Sequence, residues 1–522
     1  MGRSRPACPG RRRGDVGLVA AALLALASAR GPARAQAAPA AAPAAAPAAA
    51  PAAAPAAAPA AAPAAAPAAA PAAAARDTAD PYRPRFHLTP PTGWMGDPDG
   101  LVYAGGWYHV FYWGHAVSRD LVHWRELPDA LYSPDHAHLA FSGSAVVDTA
   151  NTSGLRRRGA DPLVAFLTRP GRGETMAVSY DGGRTFEDDA ADPVVRHEGR
   201  DPKVFWYAPG KHWVMVVYDE SQTRPLATGG TAIRYQNAIY TSPDLTHWTY
   251  QSSVPGFFEC PELFALGVEG QPGVTKWVMY DGSGSYVVGD FDGRRFTPEQ
   301  TFRHYDYGHA FYASQTYNNL PAGDGRRVQI GWFRGGHFDG MPFNQKMTFP
   351  TSLKLRRSFD GYRLTPTPVA EIASLHARTH TFTNQIIVGD SAFRSPATGD
   401  VLHVIAEIDP GDAPVVGLDV NGYRLAYDRF SKTLNGIGYV PPSADNLRIE
   451  VIVDRVGVEA FVNDGDLYFV DALNSADAAK KLEVFATGGR ERKAVLKSLT
   501  VHELGSIWAP ADAKAARSAS TR

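Results

Sequence analysis

The sequence predicts an all-β protein: a five-bladed β-propeller followed by a C-terminal antiparallel β-sandwich. Two observations carry this. First, one phrase occurs five times, as "SRDLVHW" (118–124), "SYDGGRTF" (179–186), "SPDLTHW" (242–248), "DFDGRRF" (290–296) and "SFDGYRL" (358–364). Each has an aspartate, a turn, and then an aromatic residue or leucine. The five aspartates, Asp120, Asp181, Asp244, Asp292 and Asp360, lie 48 to 68 residues apart. Second, the stretches between them are short apolar or alternating runs such as "WYHVFYW", "KVFWYA" and "RVQIGWF", with almost no helical periodicity. A hairpin phrase recurring at that period marks propeller blades; unrelated turns of an irregular sandwich are the alternative.

Taken in order, the chain opens with Arg11, Arg12 and Arg13, the apolar run 16–29 and "ARA" at 33–35. A basic region, a short apolar core and a small-x-small site predict a cleaved secretory signal over 1–35, too short for a stable membrane span. From Pro39 to Pro71 proline returns every fourth residue among alanines, which excludes helix and predicts a semi-rigid, coreless spacer over 36–79. The blades occupy 80–370. From 371 to 505 the repeat stops, and runs such as "DVLHVIAEI", "LRIEVIVDR" and "VLKSLTVHEL" predict the sandwich with its own core. The alanine-rich, charged end, 506–522, is expected to be a frayed tail.

Residues 1–35 hold seven arginines and one aspartate, so the remainder carries 45 basic against 52 acidic residues, a formal charge of −7. Such a surface suits neither nucleic acid nor anionic membrane. Cys8 leaves with the signal and Cys260 stands alone, which excludes a disulfide scaffold. His87, His115, His123, His136, His138 and His309 are scattered without metal-ligand spacing, and "DGSGS" (281–285) lacks the strand-to-helix context of a phosphate loop. No metal or cofactor is expected.

Three carboxylates stand out: Asp97 in "WMGDPDG", Asp201 in "GRDPKVFW" and Glu259 in "FFECPELF". Each lies beside Pro or Cys-Pro and an aromatic residue at the edge of an apolar strand. Singly, each reads as a turn acid. At equivalent blade positions they converge on a propeller's axis, and glycosidic cleavage needs such a set: one ionised carboxylate and one kept protonated. Phe257 and Phe258 are expected to desolvate Glu259 and fit it to be the acid, while the polar surroundings of Asp97 keep it ionised.

At these residues the chain resembles glycoside hydrolase family 32, the β-fructofuranosidases. "HLTPPTGWMGDPDGLVY", "WGHAVSRDLVHW", "FSGSAVVDTANTSG", "RDPKVFW", "FFECPELF" and "DRVGVEAFVNDG" are similar to its successive landmarks, from about Arg85 to Leu504. The resemblance implies the same propeller and sandwich. It also implies a secreted retaining hydrolase of fructans (levan, inulin) or sucrose, with Asp97 as nucleophile, Glu259 as general acid/base and Asp201 as transition-state stabiliser. Arg200 would hold Asp201 and the sugar hydroxyls, and Trp94, Phe141, Ser142 and Trp332 would line the fructosyl pocket. A fructosyltransferase, or a fructan-binding propeller without catalysis, are the alternatives. Two features depart from the family. Gly96 and Asp99 stand where it usually has asparagine, and Tyr112 runs straight into Trp113 where it inserts a glutamine-bearing loop.

Overall fold

The computed structural model describes residues 80–131, 139–189, 193–225, 231–440, 446–473 and 479–508. The expected signal and spacer (1–79), His136 and His138, and residues 509–522 lie outside them.

Five antiparallel sheets succeed one another as predicted, each with a path of four strands; those of blades 4 and 5 carry one further short strand, Arg303–His304 and Lys346–Met347. Blade 1 is Asp99–Ala104, Trp107–Phe111, His115–Ser118 and Arg125–Leu127; blade 2 is Gly143–Val147, Leu163–Arg169, Gly173–Ser179 and Glu187–Asp189. Blade 3 is Gly199–Tyr207, His212–Asp219, Gln236–Ser242 and Thr249–Pro255; blade 4 is Glu262–Gly267, Thr275–Tyr280, Ser285–Phe291 and Phe296–Pro298. Blade 5 is Phe311–Thr316, Arg327–Phe333, Thr351–Ser358 and Gly361–Pro368.

The repeated phrase is the hairpin between the third and fourth strands of every blade. Asp120, Asp181, Asp244 and Asp292 each accept backbone N–H groups from two or three residues ahead, closing the turn. Asp360 pairs instead with Arg303 and Arg363.

The apolar runs read as near-continuous because each middle strand is covered on both faces. In blade 3, Trp213, Met215 and Val217 pack against blade 2, and the alternate Val214 and Val216 against blade 4. The ring closes on its N-terminal segment. Gly93–Trp94 pairs in parallel with Phe343–Asn344 of the blade 5 excursion, and Tyr103 and Asn318 join the first strands of blades 1 and 5. Polar groups fill the axis: Lys203 meets Glu262 at 2.7 Å, and Asn318 Nδ2 donates to Ala145 O and Val204 O, both at 2.9 Å.

The sandwich has two six-stranded sheets around a Val/Leu/Ile core, its strands running from His376–Val388 to Lys493–Leu504. Ser506, Ile507 and Trp508, expected in the tail, are instead pinned to the body. Trp508 is 9% exposed and its Nε1 donates to Pro84 O at 2.7 Å. Among the described residues no helix is long and apolar enough to cross a membrane.

Candidate active site

The first strands of all five blades begin at the same end of the axis, and each brings one functional group there. Asp97 lies in the extended stretch 95–98, between the Gly93–Trp94 pairing and the first strand of blade 1. Ser142 precedes blade 2, and its Oγ donates to Asp97 Oδ2 at 2.8 Å. Asp201 opens blade 3 at a break in the ladder, in left-handed conformation (φ 67°). Glu259 and Cys260 (φ 34° and 47°) precede blade 4, and Tyr312 of blade 5 adjoins Ala313 (φ 47°). Left-handed backbone at non-glycine residues costs about 1–3 kcal/mol each and persists only where the surroundings enforce it. At Asp201 and Ala313 it coincides with breaks in the ladder register, and Glu259 and Cys260 lie just ahead of their strand.

The carboxylates are bound into one network. Cys260 N–H donates to Asp201 Oδ2 at 3.0 Å, and the Cys260 thiol lies 3.6 Å from Asp201 and 3.9 Å from Asp97. Arg200 Nε and Nη2 donate to Glu259 Oε2 at 3.0 and 2.5 Å, and Nη1 to Glu220 at 3.0 Å. The Tyr312 hydroxyl donates to Glu259 Oε1. Arg200 was expected to hold Asp201, which stands farther off at 3.8 Å; its main partner is Glu259. The expected apolar cage around Glu259 is also absent. Phe257 packs tilted against Phe302, and Phe258 meets Tyr218 and Tyr235 edge to face; a guanidinium and a phenol hold the carboxylate.

Burial is the main electrostatic force. It pushes the Asp97 carboxyl up to about 6, with Ser142 opposing and Glu259 adding to the rise. It pushes Asp201 up to about 8, Asp97 contributing and the Cys260 N–H opposing. Asp99, two residues on from Asp97, is raised well above the usual carboxylate range, by desolvation and then by Asp97. The Cys260 thiol is raised too, by burial, Asp201 and Asp97, which disfavours the thiolate. Asp97 was expected to ionise freely; buried as it is, it does so only above about pH 6.

Trp94 and Trp332 meet edge to face at 5.8 Å, with Arg334 stacked 4.0 Å over the Tyr312 ring beside them. Trp332 Nε1 is buried with no hydrogen-bond partner among the described residues. Phe141 is not joined to that group. With Trp113, Leu139, Phe111 and Phe186 it lines a cavity of about 490 Å³ that reaches Asp99. The short Tyr112–Trp113 junction is a tight turn with Trp113 left-handed (φ 65°) and 68% exposed.

Sequence reasoning missed Tyr312, Arg334 and a buried relay behind Asp201. In that relay His197 meets Glu174 at 2.7 Å, Thr168 Oγ1 donates to Glu174 at 2.8 Å, and Asp201 N–H donates to Thr168 at 2.9 Å. Tyr312 and Arg334 lie outside every quoted landmark; of the blade 5 groups at the mouth, only Trp332 was anticipated. "DGSGS" is a turn, and Gly282 N–H within it donates to Glu259 O at 3.0 Å.

Comparison with known proteins agrees with this architecture. The family model described as "Glycosyl hydrolases family 32 N-terminal domain" matches residues 87–368, and that of the family's C-terminal domain matches 415–503. A levanase of Bacillus subtilis (strain 168) is 36% identical over 82% of this chain and 71% of its own. An extracellular exo-inulinase of Aspergillus niger is 30% identical over 82% and 95%. The crystal structure of the exo-inulinase from Aspergillus awamori superposes with a TM-score of 0.69 at 26% identity, covering 83% of this chain and all of that one. With both domain models matched in order along one propeller and one sandwich, the chain belongs to glycosyl hydrolase family 32 and is a glycoside hydrolase.

Proposed function

We propose that the chain is an exported retaining β-fructosidase that removes terminal fructosyl units from fructans or sucrose. The observation that carries this is the joining of Asp97, Asp201 and Glu259 through Cys260 and Arg200 at one mouth. The levanase and exo-inulinase relatives supply the sugar. In this scheme Asp97 Oδ attacks the anomeric carbon of the fructosyl unit, forming a covalent ester. Glu259 gives its proton to the departing oxygen and then takes one from the attacking water. Arg200 and Tyr312 orient the Glu259 carboxyl. Asp201, Trp332 Nε1 and Ser142 face the sugar.

The test is product analysis on levan, inulin and sucrose, together with two variants. Free fructose is expected; longer oligomers would indicate a transferase, and retention on polymer without products a binding module. Asp97→Asn should be inactive on every substrate, whereas Glu259→Gln should retain activity on an aryl fructoside whose leaving group needs no proton. Equal responses of the two variants to that substrate would overturn the role assignment. Because Asp97 loses its proton near pH 6, kcat/KM should fall on the acid side of that value. Export places the mature N-terminus near Gln36; secreted protein still starting at Met1 would refute it.

A further inference from the structure

Away from the mouth, three imidazoles converge on one sheet of the sandwich. His376, His502 and His403 lie on neighbouring strands His376–Val388, Lys493–Leu504 and Val401–Asp409, and His403 stands opposite His502 in the ladder. One ligand-capable nitrogen of each lies within 4.8 Å of the other two. His376 Nε2 and His403 Nδ1 are 3.1 Å apart, close to the ~3.3 Å edge of a nitrogen tetrahedron around a zinc ion at about 2.0–2.1 Å.

Outer partners orient two of the rings. Glu450 holds His403 Nε2 at 2.8 Å and is itself held by Arg448 at 2.8 Å; Thr379 Oγ1 holds His502 Nδ1 at 2.8 Å. A carboxylate on the far nitrogen of an imidazole is the usual outer shell of a histidine metal ligand. The sandwich core is on the opposite face of this strand, where Leu402 and Val404 point. On the histidines' own face His403 is buried beside its ladder partner Ile452, while His376 and His502 stack at 3.6 Å and stay half-exposed.

We propose that His376, His403 and His502 bind one divalent transition-metal ion of the zinc class, with water as the fourth ligand. Three imidazoles suit zinc, copper or nickel and not magnesium or calcium. The two half-exposed rings need only tilt out of their stack to aim at a common point. His376 directly follows the turn Ala370–Leu375 that leads from blade 5 into the sandwich, and His502 lies on the sandwich's last strand. The ion would therefore tie the domain connection to the C-terminal strand. No local motif betrays it, because the ligands are spread from 376 to 502 and meet only through strand order.

The test uses untagged chain, stripped with a chelator and titrated with Zn²⁺ or Mg²⁺ by calorimetry and elemental analysis. One zinc per chain is expected, with a rise of several degrees in Tm that Mg²⁺ does not give. His376→Gln and His502→Gln, at half-exposed positions, should each lose at least tenfold in zinc affinity while keeping the metal-free Tm. Glu450→Gln should lose about 10–100-fold, and Asp97→Asn none. Less than one zinc at saturation would overturn the proposal. So would stoichiometric zinc that survives both histidine substitutions but is lost in Asp97→Asn.

Discussion

Gly96 and Asp99 flank the proposed nucleophile where family members usually carry asparagine, and the two differ physically. Gly96 is not in the left-handed region, and a Cβ added there meets only Trp94 Nε1, at an ordinary 3.5 Å. An asparagine therefore fits, and its amide restores one contact to the sugar. A neutral hydrogen bond contributes about 0.5–1.5 kcal/mol. Gly96→Asn should thus lower KM for sucrose roughly two- to tenfold, with kcat little changed; unchanged kinetics in a folded variant would mean another group already fills that place. Asp99 needs no such repair. Burial and Asp97 hold its carboxyl neutral well above the usual range, and Oδ1 still accepts from Gly143 N–H at 3.1 Å, as an amide oxygen would. Its folded pKa is raised, so its contribution to stability is present at low pH and lost as pH climbs above the carboxylate range of about 4. Asp99→Asn should therefore keep activity and gain Tm over wild type progressively towards alkaline pH, as seen by calorimetry; parallel Tm profiles would sink the idea. The three acids were legible because each sits beside proline and bulky neighbours. The protonation of Asp97 and Asp201 was not, because it depends on burial at the mouth and on Glu259 and Cys260 arriving from another blade.

Hairpins and strands were the most legible elements, since an aspartate that closes a turn and a period of two are local properties. What positions the site is not local. The left-handed residues at the heads of the first strands, and the polar plug in the axis, exist only once five blades meet. Asn318 is the clearest case: it sits in the loop after the first strand of blade 5, yet its side chain serves carbonyls of blades 2 and 3. Its own backbone N–H and C=O pair with Leu101 and Tyr103 of blade 1. Removing the amide leaves two buried acceptors unsatisfied, each costing about 1–3 kcal/mol. Asn318→Ala should lower stability by that order per carbonyl, in denaturant titration, more than Asn319→Ala, whose amide pairs with the Val147 backbone where solvent can replace it. Equal losses would show that water replaces the amide and that the ring does not depend on this link.

At the scale of the molecule, the landmark "DRVGVEAFVNDG" proves to be the bolt between sandwich and propeller. Asp454 accepts the backbone N–H groups of Arg85, Phe86 and His87 at 2.7–3.0 Å, and Glu459 accepts that of Phe349 at 2.7 Å and the Tyr468 hydroxyl at 2.6 Å. Between them lies His87, 2.8 Å from Asp454 and 2.9 Å from Glu459, 2% exposed. In the sequence His87 is one of several scattered histidines, since both partners lie some 370 positions away. Burial alone would lower its pKa, but the two carboxylates outweigh it and the net shift is upward. The segment bolted by His87 leads directly to Gly93–Trp94 and Asp97, so the sandwich steadies the strand that carries the proposed nucleophile. Removing one partner of a buried ionic cluster costs about 3–5 kcal/mol, and His87→Ala should lower Tm accordingly. Because the folded pKa is raised, the imidazolium's contribution is fully present below about 6.5 and is lost as pH rises through the folded value. The Tm gap between wild type and His87→Ala should therefore be widest near pH 5.5 and narrow towards pH 9. A gap that stayed constant across that range would mean the ring acts by packing and neutral hydrogen bonds alone, with no charge at the bolt.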